Sequence, residues 1–377
     1  MKIFFSILIF YLIHSFNVFA DFKITNYKDY EISKKNYQLT EVLKGLNNPW
    51  GMTFIDEENL LVTEKKGKLY KININKKVKQ EINHNLQIIA SRQGGLLDIL
   101  YYDGYVYFSY SHKLKNNFSS TAIARGNLIN NSIKNLEVIF IANPKIKYSD
   151  VHFGSRIAIK DNYLFASIGE RGKGMIAQDP TQHPGSIIRI HLDGSIPQDN
   201  PKFQDKPNWL PEIYQIGVRN PQGMTLSPFD NQIYISNHGA KGGDFVGMVN
   251  HSGNYGWKEV GWGGINYSGT KIGNGQPSKK EFDNPLLSWV PSIAPSDIVF
   301  YNHQLFSEWK GDLLVTSLKF KMLLKITINE NKETIIRKII KNNTGRIRDV
   351  EIDNNGQIYI IIDDKNSSIF RITKDHL

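Results

Sequence analysis

A short pattern of strand, turn and strand, repeated six times between about residue 40 and the C-terminus, constrains the fold more than any other feature. Each unit has an apolar strand, a turn of Asp, Asn or Gly, and a second strand rich in Tyr, Val and Ile. In the first unit the strands are Trp50–Phe54, Leu60–Thr63 and Lys68–Ile72. Alternating β-branched and aromatic residues between such turns predict antiparallel strands. No helical period extends over about a dozen residues.

The number and spacing of the units predict an all-β fold, a six-bladed β-propeller. The other units begin at Leu96, Arg156, Gly223, Ile298 and Val350. Six sheet units in roughly 340 residues fit a spacing slightly above the ~40–50 residues of common propeller repeats. A large sandwich would rarely repeat six similar units, and a β-helix would have a much shorter period. Because propellers carry their chemistry on loops at one mouth of a central channel, residues beside the strands are the candidate site.

Composition removes several classes of function. The chain has no Cys, which excludes thiol catalysis, Cys-ligated zinc, iron–sulfur clusters and disulfides. Lys and Arg number 46 against 36 Asp and Glu, for a formal charge of +10. The basic residues are scattered and form no basic helix or aromatic-interleaved stripe, so nucleic acid is not an expected partner. A solvated Lys-rich surface or an acidic protein partner would each account for the charge.

The N-terminal sequence has the organisation of a secretory signal peptide. Lys2 supplies the positive region, Ile3–Ile13 is an apolar stretch too short to span a bilayer, and small residues lead to Ala20. We therefore predict a cleaved signal peptide at residues 1–20 and a single propeller domain at residues 21–377. No later apolar run is long enough to cross a membrane. The expected location is the periplasm.

Several polar residues stand at equivalent places, just before or after a strand of their unit. His152 is the central candidate, because histidine is a fitting general base near neutral pH. The other candidate site residues are Gln93, Arg219, Asn220, Lys319, Arg346 and Arg348. A propeller would gather these residues around one channel, and the converging cationic side chains suit a small, planar ligand with several carboxylates.

As a set, these motifs resemble one known family. The sequence is similar to the soluble sugar dehydrogenases that depend on pyrroloquinoline quinone (PQQ), the glucose/sorbosone dehydrogenase family, and most of all to its aldose sugar dehydrogenase branch. The matching stretches include QGGLLDILYY (93–102), HFGSRIAI (152–159), IGERG (168–172), PEIYQIGVRNPQGM (211–224), HGAKGGD (238–244), GINYSG (264–269) and RIRDVEID (346–353). The resemblance extends from about residue 40 to residue 372.

The resemblance implies an exported enzyme that oxidises an aldose at its anomeric carbon to a lactone. His152 would take the proton of the anomeric hydroxyl while hydride passes to PQQ, and Arg219 would stabilise negative charge on the quinone oxygen. The other residues implied to contact the cofactor are Gln93, Asn220, Tyr267, Lys319, Arg346 and Arg348. Electrons would then pass to a periplasmic or respiratory acceptor.

The resemblance also implies Ca²⁺, held by the backbone carbonyls of Gly239 and Ala240. A second calcium in the family is bound by a Glu and by a carbonyl near the position of Tyr255. This chain has Phe245 in place of that Glu, and a phenyl ring cannot hold a hard cation. Asp297 stands where the family has Gly, a change that could narrow the mouth of the channel.

Two other functions stay open on the sequence. A metal-dependent lactonase or other hydrolase would need a cluster of Asp, Glu and Asn ligands in the channel, and would have no use for the basic residues. A noncatalytic sugar- or ligand-binding propeller of the same family is the second alternative. Two differences from the family favour it: Phe245, and Asn237, which stands where the family usually has Glu before the His-Gly of this loop.

Overall fold

The structure, a computed structural model, describes residues 22–375 except 34, 144–145, 148, 203–206 and 342–343. In that part of the chain 27 strands form six sheets, which are the blades of a β-propeller. The predicted all-β, six-bladed fold is confirmed. The predicted signal peptide at residues 1–20 lies outside the described residues. Among those described, no helix is long and apolar enough to cross a membrane.

The strands follow the chain from blade to blade. β1 (Lys23–Thr25) and β2 (Tyr37–Leu46) precede the first blade and join later ones. Blade one contains β3 (Pro49–Phe54), β4 (Asn59–Glu64), β5 (Lys68–Asn73) and β6 (Val78–Ile82). Blade two contains β7 (Leu96–Tyr102), β8 (Tyr105–Lys113), β9 (Phe118–Ile129) and β10 (Ser132–Ile141), with β11 (Ile146–Lys147) paired to β9. Blade three contains β12 (Gly154–Lys160), β13 (Tyr163–Ile168), β14 (Ser186–His191) and β15 (Ile213–Ile216).

Of the last three blades, four and six each include a strand from the N-terminal part of the chain. Blade four contains β16 (Pro221–Leu226), β17 (Ile233–Asn237) and β18 (Asp244–Met248); β19 (Gly253–Asn254) returns to the edge of blade three, and β20 (Leu287–Trp289) with β1 completes blade four. Blade five contains β21 (Pro295–Phe300), β22 (Leu313–Ser317), β23 (Met322–Ile328) and β24 (Thr334–Lys341). Blade six contains β25 (Ile347–Ile352), β26 (Ile358–Ile362), β27 (Ser367–Lys374) and β2. Short 3₁₀ helices lie at Tyr27–Asp29, Lys115–Asn117, Gly174–Gln178 and Ser307–Trp309.

The ring is closed by its two chain ends. β2, from the N-terminal part, pairs antiparallel with β27, from the C-terminal part, so blade six contains strands from both. The first strand of each blade, from β3 to β25, contacts the first strand of the next, and β25 contacts β3. These six inner strands therefore surround the channel. Opening the ring would break the ladder between β2 and β27.

Strands inside a blade are buried on both faces, because each sheet packs against two neighbours. β26, with the sequence IYIII, is buried along its whole length. A continuous apolar run of this kind is typical of a strand without a solvent face. The outer strand β6 is the contrast, since only Ile82 of Val78–Ile82 is buried.

A buried ion cluster ties the inner strands together within the channel. The Nη1 atom of Arg156 on β12 lies 2.8 Å from Oδ1 of Asp98 on β7 and 2.6 Å from Oδ1 of Asp349 on β25. Its Nε atom lies 3.5 Å from Oδ1 of Asp297 on β21. Four blades thus meet at one guanidinium. Asp297 belongs to this cluster and not to the wall of the mouth cavity described below, so the expectation that it narrows the mouth was wrong.

Candidate active site

A cavity of about 250 Å³ lies at one mouth of the channel, and all six blades contribute to its wall. Its lining residues are Trp50, Lys65, Arg92, Gln93, Leu97, Phe153, Gly154, Asn220, Gln222, His238, Ala294, Leu318, Arg346, Arg348 and Asp363. Four of the predicted site residues are therefore brought together: Gln93, Asn220, Arg346 and Arg348. A larger cleft of about 680 Å³, at the outer edges of blades four and five, includes just one predicted residue, Tyr255.

His152 lies at the rim of this cavity, in the loop that leads into β12. Its backbone N–H donates to Oε1 of Gln93 at 2.7 Å, and its neighbours Phe153 and Gly154 line the cavity. Its Nδ1 atom lies 2.5 Å from Oε1 of Glu170. A carboxylate there favours a proton on Nδ1, which leaves the lone pair of Nε2 free to accept another proton.

The surroundings keep the imidazole of His152 neutral. Burial lowers the pKa of His152; the hydrogen bond to Glu170 opposes this, and the positive charge of Arg219 lowers the pKa further. Burial would raise the pKa of Glu170, but the hydrogen bond and charge of His152, together with the amide of Gly174, hold it below its ordinary value. A neutral imidazole beside an ionised carboxylate is the arrangement of a general base with its orienting partner.

Glu170 is a site residue that the sequence analysis missed. It follows β13 at the end that faces the mouth, is fully buried, and accepts a second hydrogen bond at Oε2 from the N–H of Gly174, at 2.6 Å. Its own N–H donates to the carbonyl of Arg219 at 2.9 Å. The available signal was an acidic residue directly after an apolar strand, in the stretch IGERG.

Arg219 and Asn220 are positioned by one side chain of the next strand. Oδ1 of Asn237 accepts from the backbone N–H groups of Arg219, at 3.1 Å, and Asn220, at 2.9 Å. The guanidinium of Arg219 lies 5.3 Å from the ring centroid of Trp257. The side chain of Asn220 accepts from the N–H of Gly154 at 3.0 Å, which links blades three and four at the cavity wall.

Positive charge exceeds negative charge on the part of the cavity wall that blades one and six form. Arg348 is buried and donates to Oε1 of Gln222 and to Oδ2 of Asp363, both at 3.1 Å. Arg346 lies 3.5 Å from the same oxygen of Asp363. Burial would raise the pKa of Asp363, but Arg348, with Asn48 and Arg346, lowers it to about 2. Lys65, which the sequence analysis did not select, also lines this wall.

Three predicted cofactor contacts, Arg219, Lys319 and Tyr267, are not among the residues that line the cavity. Lys319 is exposed, with its Nζ atom 5.1 Å from the ring centroid of Phe320, and its neighbour Leu318 lines the cavity instead. Tyr267 is 72% exposed. Neither of these two side chains lines the cavity where Gln93, Asn220, Arg346 and Arg348 meet.

The loop predicted to hold calcium lies beside the cavity. Gly239 and Ala240 follow His238, which lines the wall, and the N–H of Gly239 donates to Oδ1 of Asp244 at 2.8 Å. Backbone carbonyls are oxygen ligands that suit Ca²⁺. Within the described ranges, no group of three or more His, Asp or Glu side chains could hold a metal ion. A cation here would therefore depend on carbonyl oxygens and on a ligand.

Tyr255, a predicted metal ligand, lies in a buried aromatic cluster. Its carbonyl accepts a hydrogen bond from the indole Nε1–H of Trp262 at 3.0 Å. The ring of Phe245 is fully buried, with its centroid 4.6 Å from that of Tyr255 and 4.7 Å from that of Trp262. Both carboxylate oxygens of Asp244 already accept hydrogen bonds, from Gly239, Ser292 and Ala294. Phe245 therefore contributes a ring to an aromatic cluster, and no carboxylate, at this position.

Comparison with known proteins adds three kinds of finding. The profile of the family described as Glucose / Sorbosone dehydrogenase matches residues 46–371. Aldose sugar dehydrogenase YliI of Escherichia coli (strain K12) is 32% identical over 323 residues, which cover 82% of this chain and 85% of that protein. Quinoprotein glucose dehydrogenase B of Acinetobacter calcoaceticus is 25% identical over 401 residues, covering 84% and 83%. The crystal structure of the soluble aldose sugar dehydrogenase of Escherichia coli in the apo-form has a TM-score of 0.83 at 28% identity, covering 90% of this chain and 99% of that one.

Proposed function

The chain belongs to the glucose/sorbosone dehydrogenase family of sugar oxidoreductases, and from this premise we propose that it oxidises an aldose at the anomeric carbon to the lactone, with PQQ as its cofactor. The observation that carries the proposal is the contact between Nδ1 of His152 and Oε1 of Glu170. This pair lies at the rim of a cavity whose wall has more cations than carboxylates.

Oxidation of an aldose to its lactone removes a hydride from C1 and a proton from the hydroxyl on C1. The chemistry that bound PQQ supplies is acceptance of the hydride, and with it both electrons. Nε2 of His152 would accept the hydroxyl proton as the carbonyl of the lactone forms. Glu170 would keep the proton of Nδ1 in place and stabilise the imidazolium. Arg219 would stabilise negative charge that develops on an oxygen beside it.

The cavity suits a planar molecule with several carboxylates. Arg346 and Arg348 offer charge-assisted hydrogen bonds, the strong kind for carboxylates. Trp50, Leu97 and Phe153 form an apolar part of the wall, against which a flat ring system could pack. Gln93 and Asn220 supply polar groups on the same wall. Lys319 and Tyr267 would contact the cofactor only after their side chains turn toward the cavity.

Calcium is part of the proposal at one place only. The carbonyls of Gly239 and Ala240 would hold a single Ca²⁺ together with oxygen atoms of the cofactor. We also propose that the enzyme is exported, on the evidence of the signal-peptide pattern at residues 1–20. Its electron acceptor would then be a periplasmic or respiratory carrier.

Reconstitution tests the proposal directly. The purified apoprotein is mixed with PQQ and Ca²⁺, PQQ binding is measured by absorbance, and dye reduction is followed with a panel of aldoses. We expect binding and sugar-dependent reduction, with no reduction when PQQ is omitted. Binding of PQQ without turnover on any aldose would favour a noncatalytic binding propeller. Failure to bind PQQ would refute the proposal, and hydrolysis of lactones by the apoprotein with a metal ion would point to the hydrolase alternative.

A further inference from the structure

Lys65 is fixed at the cavity wall by its backbone. It lies in the turn between β4 and β5 of blade one, where its N–H donates to the carbonyl of Asn48 at 3.0 Å. Its own carbonyl accepts from the N–H of Leu96 in blade two at 3.1 Å. Both blades therefore hold the position of its Cα atom. Lys65 is half-buried and lines the cavity, whereas its neighbour Lys66 is exposed and does not.

The path of the lysine stem depends on a glycine in the neighbouring loop. A Cβ atom at Gly95 would lie 2.6 Å from Cγ of Lys65 and 2.0 Å from its carbonyl oxygen, so no side chain could be present there. Gly95 also has a φ of +156°. The aliphatic stem of Lys65 therefore packs against Gly95, the last residue of the QGG stretch at residues 93–95.

The ammonium of Lys65 has no carboxylate of its own. Its Nζ atom donates to the carbonyl of Arg92 at 2.8 Å, and in the described part of the chain it forms no salt bridge. Lys65, Arg346 and Arg348 share one nearby carboxylate, that of Asp363, on the cavity wall. Arg92, the other cation of the wall, has a partner of its own, because it lies 3.3 Å from Oδ1 of Asp150.

This arrangement is electrostatically costly without a ligand. Burial lowers the pKa of Lys65; Asp363 opposes the shift, and the positive charges of Arg348 and Arg346 lower the pKa further. Three cations against one carboxylate leave an excess of two positive charges at this wall. An anion with several carboxylates would remove the mutual repulsion of the three side chains.

We propose that Lys65 is a cofactor-binding residue, which exchanges the carbonyl of Arg92 for a carboxylate of PQQ and acts beside Arg346 and Arg348. The inference rests on the proposed function, because it takes PQQ as the anion. It does not need turnover, however, since it concerns binding alone. Lys65 also adds a third cation to Arg346 and Arg348 around Asp363, which the exposed Lys319 does not provide in this structure.

The test is the dissociation constant of PQQ with the full-length apoprotein, measured by quenching of tryptophan fluorescence, for which Trp50 on the cavity wall is a natural reporter. Lys65→Met should weaken binding about tenfold, as expected for loss of one charge-assisted hydrogen bond. Lys66→Met removes the same charge one residue away and should change the constant by less than about twofold, because that charge is solvated and screened. Lys65→Arg, which keeps the charge, should restore most of the affinity.

The melting temperature of each apoprotein separates binding from folding. Relief of repulsion should leave Lys65→Met at least as stable as the wild type. Equal weakening by Lys65→Met and Lys66→Met would overturn the proposal, as would wild-type affinity in Lys65→Met or a loss of affinity that follows a lower melting temperature. If the wild type bound no PQQ, both the proposed function and this inference would fail. Binding by the wild type without turnover, combined with the predicted loss in Lys65→Met, would refute only the enzymatic proposal.

Discussion

The two ends of the propeller channel hold opposite imbalances of charge. At the mouth, three cationic side chains share the carboxylate of Asp363. Deeper in the channel, the single guanidinium of Arg156 faces the carboxylates of Asp98, Asp297 and Asp349. The pKa of an aspartate is therefore shifted in opposite directions at the two places. Burial would raise the pKa of Asp363, yet the cations lower it to about 2, whereas burial, with the charge of Asp349, raises the pKa of Asp98 to about 6 despite Arg156.

This difference separates a ligand site from a structural joint. In the deeper cluster, the guanidinium of Arg156 is held by protein groups, because it also donates to the backbone carbonyl of Gln222 at 2.6 Å and to that of Arg348 at 3.3 Å. Three cations of the mouth, Lys65, Arg346 and Arg348, lie on a cavity wall and share the carboxylate of Asp363. We therefore expect substitutions at the mouth to change binding or turnover, and substitutions deeper in the channel to change stability.

The largest effect should come from His152. His152→Ala removes the proposed general base, and we expect kcat to fall about a thousandfold, within the usual contribution of such a group. The dissociation constant of PQQ should change by less than about twofold, because His152 is not one of the cavity cations. The control is His191→Ala, a half-buried histidine at the end of β14 and outside the cavity. A near-normal rate in His152→Ala would show that another group is the base.

Arg156 tests the other end of the channel. Arg156→Met leaves buried carboxylates without their cation, and we expect the free energy of unfolding to fall by about 3–5 kcal/mol. Arg92→Met is the matched change at the mouth, where the side chain is 70% exposed and paired with Asp150, and should cost less than about 1 kcal/mol. Urea denaturation of the two apoproteins measures both values. Similar losses of unfolding free energy in the two variants would contradict the view that the Arg156 cluster is structural and the mouth is a ligand site.

Glu170 should show a smaller effect with a distinctive pH dependence. Glu170 raises the pKa of His152, so Glu170→Gln should lower that pKa and move the acid limb of the kcat profile to lower pH. The plateau should fall by roughly tenfold to a hundredfold, because the imidazolium loses its carboxylate. PQQ affinity should stay unchanged. Glu212→Gln alters a second pair, 3.3 Å from Nε2 of His183 and outside the cavity, and should leave the profile in place. An acid limb that did not move, or moved to higher pH, would contradict the role of Glu170.

The inner strands could be predicted from the sequence, and the outer ones could not. The predicted strand Trp50–Phe54 matches β3 to within one residue. Such a strand can be predicted because its apolar residues, which are buried between blades, form a continuous run. The fourth strand of the same blade, Val78–Ile82, was missed because most of its side chains face solvent and its composition resembles a loop. The pairing of β2 with β27 joins residues more than 300 positions apart, and no local pattern encodes it.

The same limit applies within the site. Residue type and position beside a strand selected Gln93, Asn220, Arg346 and Arg348, which the fold brings to one cavity. Which of two adjacent residues faces that cavity depends on the local backbone. Leu318 lines it where Lys319 was expected, and Lys65 lines it although it reads as an ordinary turn lysine beside Lys66 and Gly67.

The smallest expected effect concerns calcium, and it separates the loop at Gly239 and Ala240 from the position beside Tyr255. The carbonyl of Tyr255 is used by Trp262, and the oxygens of Asp244 are used by Gly239, Ser292 and Ala294. Millimolar Ca²⁺ should therefore shift the melting temperature of the apoprotein by less than about 1 °C relative to EDTA, because a cation that does not bind the folded state cannot stabilise it. With PQQ present, calcium should raise the melting temperature, since the proposed site at Gly239 and Ala240 needs oxygens of the cofactor. A calcium-dependent rise in the apoprotein that disappeared in Asp244→Asn would show that a cation binds beside the aromatic cluster after all.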